Sequence, residues 1–261
     1  MPMIDGAIQD YALTLDKFLD HAAKWHPLTE VVTARADGSI ARVGYAGLRK
    51  RAKRVTALLH DLGVRKGHRV ATLSWNTQAH MECWYAVMGM GAVCHTLNPR
   101  LTSEQLAWML GQSEAAILIV SSDLQPLAAS IVQSARGIKN ILVIDHAGGD
   151  ALDVVGLPYA QVLENALVDE SADIAWGDFP ETTPCGLCFT SGTTGAPKGV
   201  TYTHRGNYLH TLRQLQADVS GMTSHDVVLP VVPMFHANAW GLPFSAPATG
   251  AKLVLPGRHS D

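Results

Sequence analysis

The sequence predicts an α/β protein built around a mainly parallel sheet. Two observations carry this prediction: short runs of β-branched and other apolar residues alternate with amphipathic helical patterns, and turn residues separate them at regular intervals. The 261 residues, of which 47% are hydrophobic and 16% charged, are enough for one large domain or two smaller ones.

The first clear helical pattern runs from Tyr45 to Gly63. Apolar residues recur there at spacings of three and four, which predicts an amphipathic helix, and Gly63 is suited to end it. Basic residues between positions 49 and 54 occupy the other side. We interpret them as a solvated helix face and not as a nucleic-acid surface, because the chain has 20 basic against 23 acidic residues and a net charge of -3.

Four apolar runs between residues 69 and 144 are predicted strands, and three helical patterns separate them. Asn76 is a candidate cap for the first of these helices. Thr102 and Gln105 form a capping-box pattern for the second helix, and the third is predicted over 124–136. The predicted strands are RVATLSW, AVCHTLN, AAILIV and NILVI.

The pattern loosens over 146–184, where glycines, acidic residues and prolines are frequent. We interpret this stretch as a connection between two subdomains, residues 1–180 and residues 181–261. In the second subdomain the sequence predicts a helix over about 207–219. The predicted strands there are CGLCF, GVTYT and the run over 226–232.

The strongest chemical signal is the stretch FTSGTTGAPKGVTYTH, residues 189–204. Glycines let backbone N–H groups approach phosphate oxygens, hydroxyl groups donate further hydrogen bonds, and Lys198 adds positive charge, so we predict a polyphosphate site. The stretch is not a P-loop, because Pro197 and Gly199 stand where that motif needs glycine and Ser or Thr. A hydrolase nucleophile elbow would need glycine in place of Phe189. A plain surface loop would need neither the lysine nor strands at both ends.

The segment TSGTTGAPKG resembles the phosphate-binding signature of the adenylate-forming, or AMP-binding, superfamily. The segments GHRVATLSWNTQAHMECWYAVMGMGAVCHTLNPRL and VPMFHANAWGLP extend the resemblance over nearly the whole chain, to the medium- and long-chain fatty-acid-CoA ligase branch. His68 departs from the aspartate that is frequent there, which we interpret as a surface change. The resemblance implies an acyl-CoA-synthetase-like large N-terminal domain of parallel-sheet α/β subdomains, incomplete in this chain.

The resemblance also implies a two-step reaction. A carboxylate attacks the α-phosphate of ATP to give an acyl-adenylate and pyrophosphate, and the thiol of coenzyme A then displaces AMP to give a thioester. Lys198 is implied as a catalytic residue, and Thr190 is implied to contact the Mg²⁺ cofactor. The residues implied to bind the ATP phosphates are Thr190, Ser191, Gly192, Thr193, Thr194, Gly195 and Lys198.

The segment 233–241 indicates which kind of carboxylic acid is the substrate. The residue after Phe235 is His236, whereas amino-acid-activating relatives place an aspartate there to pair with the substrate ammonium group. A simple carboxylic acid therefore fits better, and His236 is a candidate catalytic and substrate-binding residue, with a half-buried structural histidine as the alternative. Trp240 and Phe244 are candidate walls of an apolar acyl pocket, with core packing as the alternative.

Cys185 and Cys188 form a single C-x-x-C pair, which is weak evidence for a metal site. Residues three apart on a strand face opposite sides, so we interpret both as buried small residues. His204 either contacts phosphate or begins the following helix. The scattered cysteines, the absence of a signal-peptide pattern and the lack of an apolar run of about 20 residues predict a cytoplasmic protein without a membrane span.

The family continues well beyond Asp261, into segments that contact adenine, magnesium and ribose and into a small C-terminal domain with a further lysine. We therefore expect a fragment that is inactive alone, with strands uncovered at VVLPVV and AKLVL that favour self-association, including a homodimer. Two alternatives stay open. One is an acyl-AMP ligase that delivers its product to a carrier protein, and the other is a non-catalytic ATP-binding or regulatory module.

Overall fold

The structure is a computed structural model, and it describes residues 11–35, 37–146, 157, 160–168, 173–190 and 197–260. The α-helices in these ranges are α1 (Asp16–Trp25), α2 (Tyr45–Asp61), α3 (Gln78–Gly89), α4 (Ser103–Ser113), α5 (Gln125–Val132), α6 (Leu163–Ala166), α7 (His204–Gln214) and α8 (Leu242–Thr249). The strands are β1 (Glu30–Ala34), β2 (Ile40–Gly44), β3 (Arg69–Leu73), β4 (Val93–Leu97), β5 (Ile117–Ser121), β6 (Asn140–Ile144), β7 (Ala160–Val162), β8 (Pro184–Thr190), β9 (Lys198–Thr203), β10 (Val227–Val228) and β11 (Lys252–Leu255).

A seven-stranded sheet with the order β7-β6-β5-β3-β4-β8-β9 forms the centre of the fold. Neighbouring strands are parallel except for β8 and β9, which are antiparallel at one edge. The predicted α/β class with a mainly parallel sheet is therefore confirmed. The winding reverses at β3, since β4 lies on one side of it and β5 on the other, and ligands of such sheets bind beyond the carboxyl ends of the strands.

A second sheet has four strands in the order β10-β11-β1-β2. It joins distant parts of the chain, because β1 pairs in parallel with β11 and antiparallel with β2. The buried phenol of Tyr45 donates a 2.6 Å hydrogen bond to the Ala251 carbonyl and fastens the same two parts. The expectation that AKLVL is left uncovered is wrong, since β11 has a neighbour on each side.

The strand predicted over 226–232 is much shorter than expected. Only Val227–Val228 pairs, with β11, and no strand among the described residues pairs with the positions that follow. Pro230 and Pro233 lack the N–H group that a ladder needs, which accounts for the early end. The apolar side chains exposed along this edge are Val227, Leu229 and Val231.

Helix α2 confirms the amphipathic pattern, and Gly63 follows its end with a φ of +87°, in the left-handed region that favours glycine. The basic side of α2 is not simply solvated, which corrects our interpretation. Arg51 contacts the buried carboxylate of Glu82 on α3 at 2.8 Å and the exposed carboxylate of Glu164 on α6 at 2.7 Å. These ion pairs hold α2 against two other helices.

Thr77, not Asn76, caps α3, so the predicted cap is wrong by one residue. The Thr77 hydroxyl accepts a 3.1 Å hydrogen bond from the His80 amide, while the Asn76 side chain points to another part of the chain. The capping box of Thr102 and Gln105 at the start of α4 is confirmed.

Two other helices differ from their predicted bounds. Helix α5 ends at Val132 and follows a short 3-10 turn, so it is shorter than the predicted 124–136. Helix α7 begins at His204, before the predicted 207, because the Thr203 hydroxyl caps it by accepting from the Gly206 amide at 3.1 Å.

The core lies on both faces of the seven-stranded sheet. One cluster of buried side chains joins α1, α2, α3 and α8 to both sheets, and a second lies beneath α4 and α5. Within the described ranges, no helix combines the length and the apolar character that crossing a membrane requires. The sheet also runs across the predicted boundary between residues 1–180 and 181–261, because β8 pairs with β4, and that division stays a prediction.

Candidate functional site

The two segments predicted to carry the site meet at the carboxyl end of β8. This strand leads to Thr190, and the segment around His236 lies beside Cys188. The Thr96 hydroxyl is 3.1 Å from Cys188 Sγ and donates to the Phe235 carbonyl at 3.4 Å. The end of β8, where the predicted phosphate-binding stretch begins, and the histidine segment are therefore neighbours.

Thr190 and Lys198 close the described part of the hairpin. They are cross-strand partners at the end of β8 and the start of β9, and both are exposed. Side chains of such partners lie on one face of the ladder, so the hydroxyl and the ammonium group can reach the same ligand. The remaining predicted phosphate-binding residues, Ser191, Gly192, Thr193, Thr194 and Gly195, lie outside the described residues.

His236 is exposed, which sets aside the alternative of a half-buried structural histidine. Its amide donates to the Pro233 carbonyl at 3.0 Å, and its carbonyl accepts from the Ala239 amide at 3.0 Å. The imidazole therefore projects from a tight turn at the end of the irregular segment that follows β10.

A run of left-handed backbone follows His236. The φ angles of its four non-glycine residues lie between 44° and 54°, and Gly241 continues the run at 78°. Each non-glycine residue in this region costs roughly 1 kcal/mol, and strain of this kind gathers at functional sites. The four residues are Ala237, Asn238, Ala239 and Trp240.

The two aromatic residues predicted to line an acyl pocket lie in different surroundings. The Trp240 side chain is 60% exposed, whereas Phe244 is 1% exposed. The Phe244 ring packs against Trp84 and Tyr85, with centroid distances of 5.9 and 6.0 Å. Phe244 is thus a core residue of α8, and Trp240 alone is placed to meet a ligand from the surface.

Asn76 is a site-supporting residue that the sequence analysis did not identify. Its carboxamide donates to the carbonyls of Pro230 and Val232 at 2.9 and 3.0 Å and accepts from the Met234 amide at 2.6 Å. It therefore fastens the segment that leads to His236. The signal that could have found it is a carboxamide directly after the predicted buried strand RVATLSW, where the carboxyl end of a parallel strand was expected.

His80 fixes the turn that carries Asn76. Trp84 Nε1 donates to His80 Nε2 at 3.0 Å, so the other ring nitrogen carries the proton and donates to the Trp75 carbonyl at 2.8 Å. Burial lowers the pKa of His80 to about 4. The imidazole is therefore neutral near pH 7 and keeps both hydrogen bonds.

Asp145 lies against the same turn, just after β6. Its carboxylate accepts from the hydroxyls of Thr77 and Ser121 at 2.9 and 3.1 Å, and its backbone is left-handed with a φ of 59°. Burial raises the pKa of Asp145 to about 6 despite these two hydrogen bonds. The turn is thus held from two directions, by an imidazole and by a carboxyl group.

Residues 19–261 match a protein family described as AMP-binding enzyme. The chain belongs to this AMP-binding family. The predicted family is therefore confirmed. The match includes both segments of the site described above.

Three known proteins illustrate the similarity. A long-chain-fatty-acid–CoA ligase of Thermus thermophilus is 40% identical over 261 residues, which is 100% of this chain and 46% of the relative. A 3-methylmercaptopropionyl-CoA ligase of Ruegeria lacuscaerulensis is 38% identical over 97% of this chain and 46% of the relative. The solved structure of an acetoacetyl-CoA synthetase from Streptomyces lividans has a TM-score of 0.80 at 21% identity, over 94% of this chain and 38% of that one.

The AMP-binding chain spans about half the length of the curated relatives it matches. The likeness to the solved synthetase, at low identity, shows the fold, and it agrees with the predicted synthetase-like α/β domain.

Three further residues considered in the sequence analysis, Cys185, Cys188 and His204, are buried in the fold. Cys185 and Cys188 are buried free thiols, as interpreted from the sequence, and burial raises the pKa of Cys185 to about 12. His204 is buried at the start of α7, where Nδ1 accepts from the Leu15 amide at 3.2 Å, so it does not face a phosphate. Among the residues that the structure describes, no group of three or more His, Cys, Asp or Glu is arranged to hold a metal ion.

Proposed function

We propose that this chain is part of a ligase that activates an aliphatic carboxylic acid with ATP and transfers the acyl group to coenzyme A. The observation that carries the proposal is the meeting of two segments at the carboxyl end of β8. One presents Thr190 and Lys198, and the other presents His236. Membership of the AMP-binding family and relatives named as CoA ligases support it.

The Thr190–Lys198 pair suits the phosphate end of the reaction. Transfer between two anions depends on charge neutralisation and alignment, and an exposed ammonium group opposite a hydroxyl supplies both to ATP. The Thr190 oxygen is a hard donor of the kind Mg²⁺ prefers, and with the phosphate oxygens it would hold the ion, which supplies further charge neutralisation.

The His236 segment suits the carboxylate end. A histidine ring nitrogen can donate a hydrogen bond to the attacking carboxylate, and no acidic residue follows Phe235 to pair with a substrate ammonium group. The exposed Trp240 ring offers an apolar surface to an aliphatic tail. These features favour a fatty or related acid over an amino acid, which would lose its counter-charge.

Carboxylate-dependent exchange of labelled pyrophosphate into ATP by the full-length protein tests the proposal. We expect exchange with aliphatic acids, compared from acetate to palmitate, and none with leucine. Formation of acyl-CoA on addition of coenzyme A then distinguishes this acceptor from a carrier protein. ATP binding without exchange for any acid would contradict the proposal and favour a non-catalytic ATP-binding module.

We also propose that the protein is cytoplasmic and forms a homodimer. All four cysteines are buried free thiols, which supports a reducing compartment such as the cytoplasm. The apolar edge formed by Val227, Leu229 and Val231 supports self-association into a homodimer. Light scattering from a concentrated solution of the full-length protein checks this, and a monodisperse monomer would contradict it.

A further inference from the structure

The backbone between Leu229 and Phe235 is fastened by a side chain and not by a sheet. Strand β10 ends at Val228, and no strand in the described ranges pairs with the residues after it. Pro230 and Met234 are nevertheless buried. Because buried backbone polar groups need hydrogen-bond partners, something other than a ladder has to supply them.

Asn76 supplies these partners from a distant part of the chain. Its two amide protons go to the carbonyls of Pro230 and Val232, and its side-chain oxygen accepts from the Met234 amide. Its own backbone carbonyl accepts from the Gly257 amide at 2.9 Å. With the residue only 1% exposed, water cannot take over these bonds. The carboxamide thus does what a neighbouring strand would do.

The turn that presents Asn76 is fixed by hydrogen bonds, and it contacts the residue next to His236. The Trp75 carbonyl is held by His80, and Thr77 caps α3. The Trp75 ring also meets the Phe235 ring edge-on, with centroids 6.3 Å apart. Asn76 and Trp75 therefore link the turn between β3 and α3 to Met234 and Phe235, the two residues before His236.

We propose that Asn76 is a positioning residue for the carboxylate end of the site. It sets the path of residues 230–234 and thereby the place at which His236 meets the acid, acting through the backbone. The contact between His236 and the carboxylic acid rests on the function proposed above. The phosphate end, which β8 and β9 hold by their own ladder, does not depend on it.

The test compares Asn76→Asp and Asn76→Ala with Ser74→Ala in the full-length protein. Aspartate keeps the size of the side chain and the acceptor for Met234, but it loses both donors. Ser74 is a matched control, because it is equally buried on the same turn but is bonded to Ser121 at 2.7 Å and not to the 230–234 segment.

Hydrogen exchange tests the structural part of the proposal and needs no turnover. In the wild-type protein we expect the Met234 amide to be protected although it lies in no strand. In both Asn76 variants we expect exchange across 230–236 to be faster by about tenfold, the equivalent of one lost buried hydrogen bond, while Ser74→Ala stays near wild type. An unprotected Met234 amide in the wild type, or equal loosening in Ser74→Ala, would overturn the proposal. If a variant does not fold, protection of the Met234 amide in the wild-type protein still supports the proposal, and lack of protection still contradicts it.

Pyrophosphate exchange tests the positioning role. We expect the KM for the acid to rise about tenfold in Asn76→Asp and the KM for ATP to change by less than about twofold, because only the His236 segment shifts. Equal rises in both constants would overturn the proposal, since they would indicate a general loss of structure. A wild-type protein without acid-dependent exchange would contradict the proposed function, and hydrogen exchange would still decide whether Asn76 fixes the segment.

Discussion

The two halves of the candidate site are held in place by different means. Thr190 and Lys198 stand at the end of a regular antiparallel ladder, whose hydrogen bonds come from the main chain. His236 lies outside both sheets, on a segment held by Asn76 and continued by left-handed backbone. A ladder tolerates most exchanges of exposed side chains, whereas one substitution can release a side-chain clamp. Substitutions in the Thr190–Lys198 half should therefore lower activity without lowering stability. Substitutions in the His236 half should lower both.

The largest effect is expected for Lys198→Ala in the full-length protein. Loss of the ammonium group should lower pyrophosphate exchange by about 100-fold or more, because charge neutralisation is lost. The free energy of unfolding should change by less than about 0.5 kcal/mol, since the side chain is exposed and the ladder remains. The control is Lys139→Ala, an exposed lysine at the amino end of β6, which should keep wild-type exchange. Exchange near the wild-type rate in Lys198→Ala would show that the hairpin is not the phosphate end.

Gly241→Ala should affect stability and the carboxylate end together. Its φ of +78° is unfavourable for alanine, and a Cβ there would lie 3.0 Å from His210 Cδ2. We expect unfolding to become easier by about 1–2 kcal/mol, measured by urea denaturation, and the KM for the acid to rise. Gly111→Ala in α4 is the matched control, since a Cβ meets nothing within 4 Å there and should stabilise the helix by up to about 1 kcal/mol. The same response at both positions would refute the strain argument.

The His80 support should make the second half of the site sensitive to acid. Burial lowers the pKa of His80 to about 4 from its ordinary value of 6.5, so the unfolded chain takes up the proton first as the pH falls. The contribution of neutral His80 to the free energy of unfolding is complete above pH 6.5 and is lost as the pH falls towards 4. About 1 kcal/mol is lost by about pH 5.5.

Urea unfolding at about pH 7.5 and about pH 5.5 measures this loss. His80→Gln should be less stable at both pH values, but its loss between them should be smaller than that of the wild type by about 1 kcal/mol. His225→Gln replaces an exposed histidine and should keep the full wild-type loss. An unchanged pH dependence in His80→Gln would mean that the imidazole does not stay neutral in the fold.

Asp145→Asn should give the smallest change, and in the opposite direction. Burial raises the pKa of Asp145 from 3.8 to about 6, so the folded state disfavours the charged carboxylate, and the penalty appears as the pH rises through about 6. Asparagine keeps an acceptor for Thr77 and Ser121 and tolerates the left-handed backbone. We expect a gain of about 0.5–1 kcal/mol near pH 7.5 that shrinks near pH 4, measured by urea denaturation. Asp61→Asn, at an exposed position, should show no such gain, and a gain that grows towards acid pH would contradict the assignment.

The regular elements could be predicted because their signals are local. The apolar periodicity of α2, the β-branched run of β6 and the capping box at Thr102 each specify structure within a few residues of themselves. The phosphate site predicted over 189–204 also rests on a local signal, since its glycines, hydroxyls and lysine follow one another directly, and its role stays a prediction. Residues 19–261, which match the AMP-binding family, include all of these segments.

The rest could not be predicted because it depends on partners distant in sequence. A carboxamide just before a helix is a plausible cap, and only the folded chain shows that Asn76 bonds to Pro230, Val232 and Met234 instead. The apolar run over 226–232 indicated a strand, but Pro230 interrupts the ladder and the Asn76 carboxamide binds the backbone instead. Trp240 has no residue-type preference for positive φ, so its left-handed backbone has no local signal.

The pairing of β1 with β11 imposes an order on synthesis. Val31 lies beside Leu253 in that pair, so the hairpin of β1 and β2 leaves the ribosome long before its third strand exists. At translation rates of about 5–20 residues per second, the wait is on the order of ten seconds or longer. The parallel strands β3 to β6 can assemble meanwhile, while the hairpin keeps an unpaired edge that invites a chaperone or a neighbouring nascent chain. Among the described elements, the four-stranded sheet is thus completed late, although it contains β1.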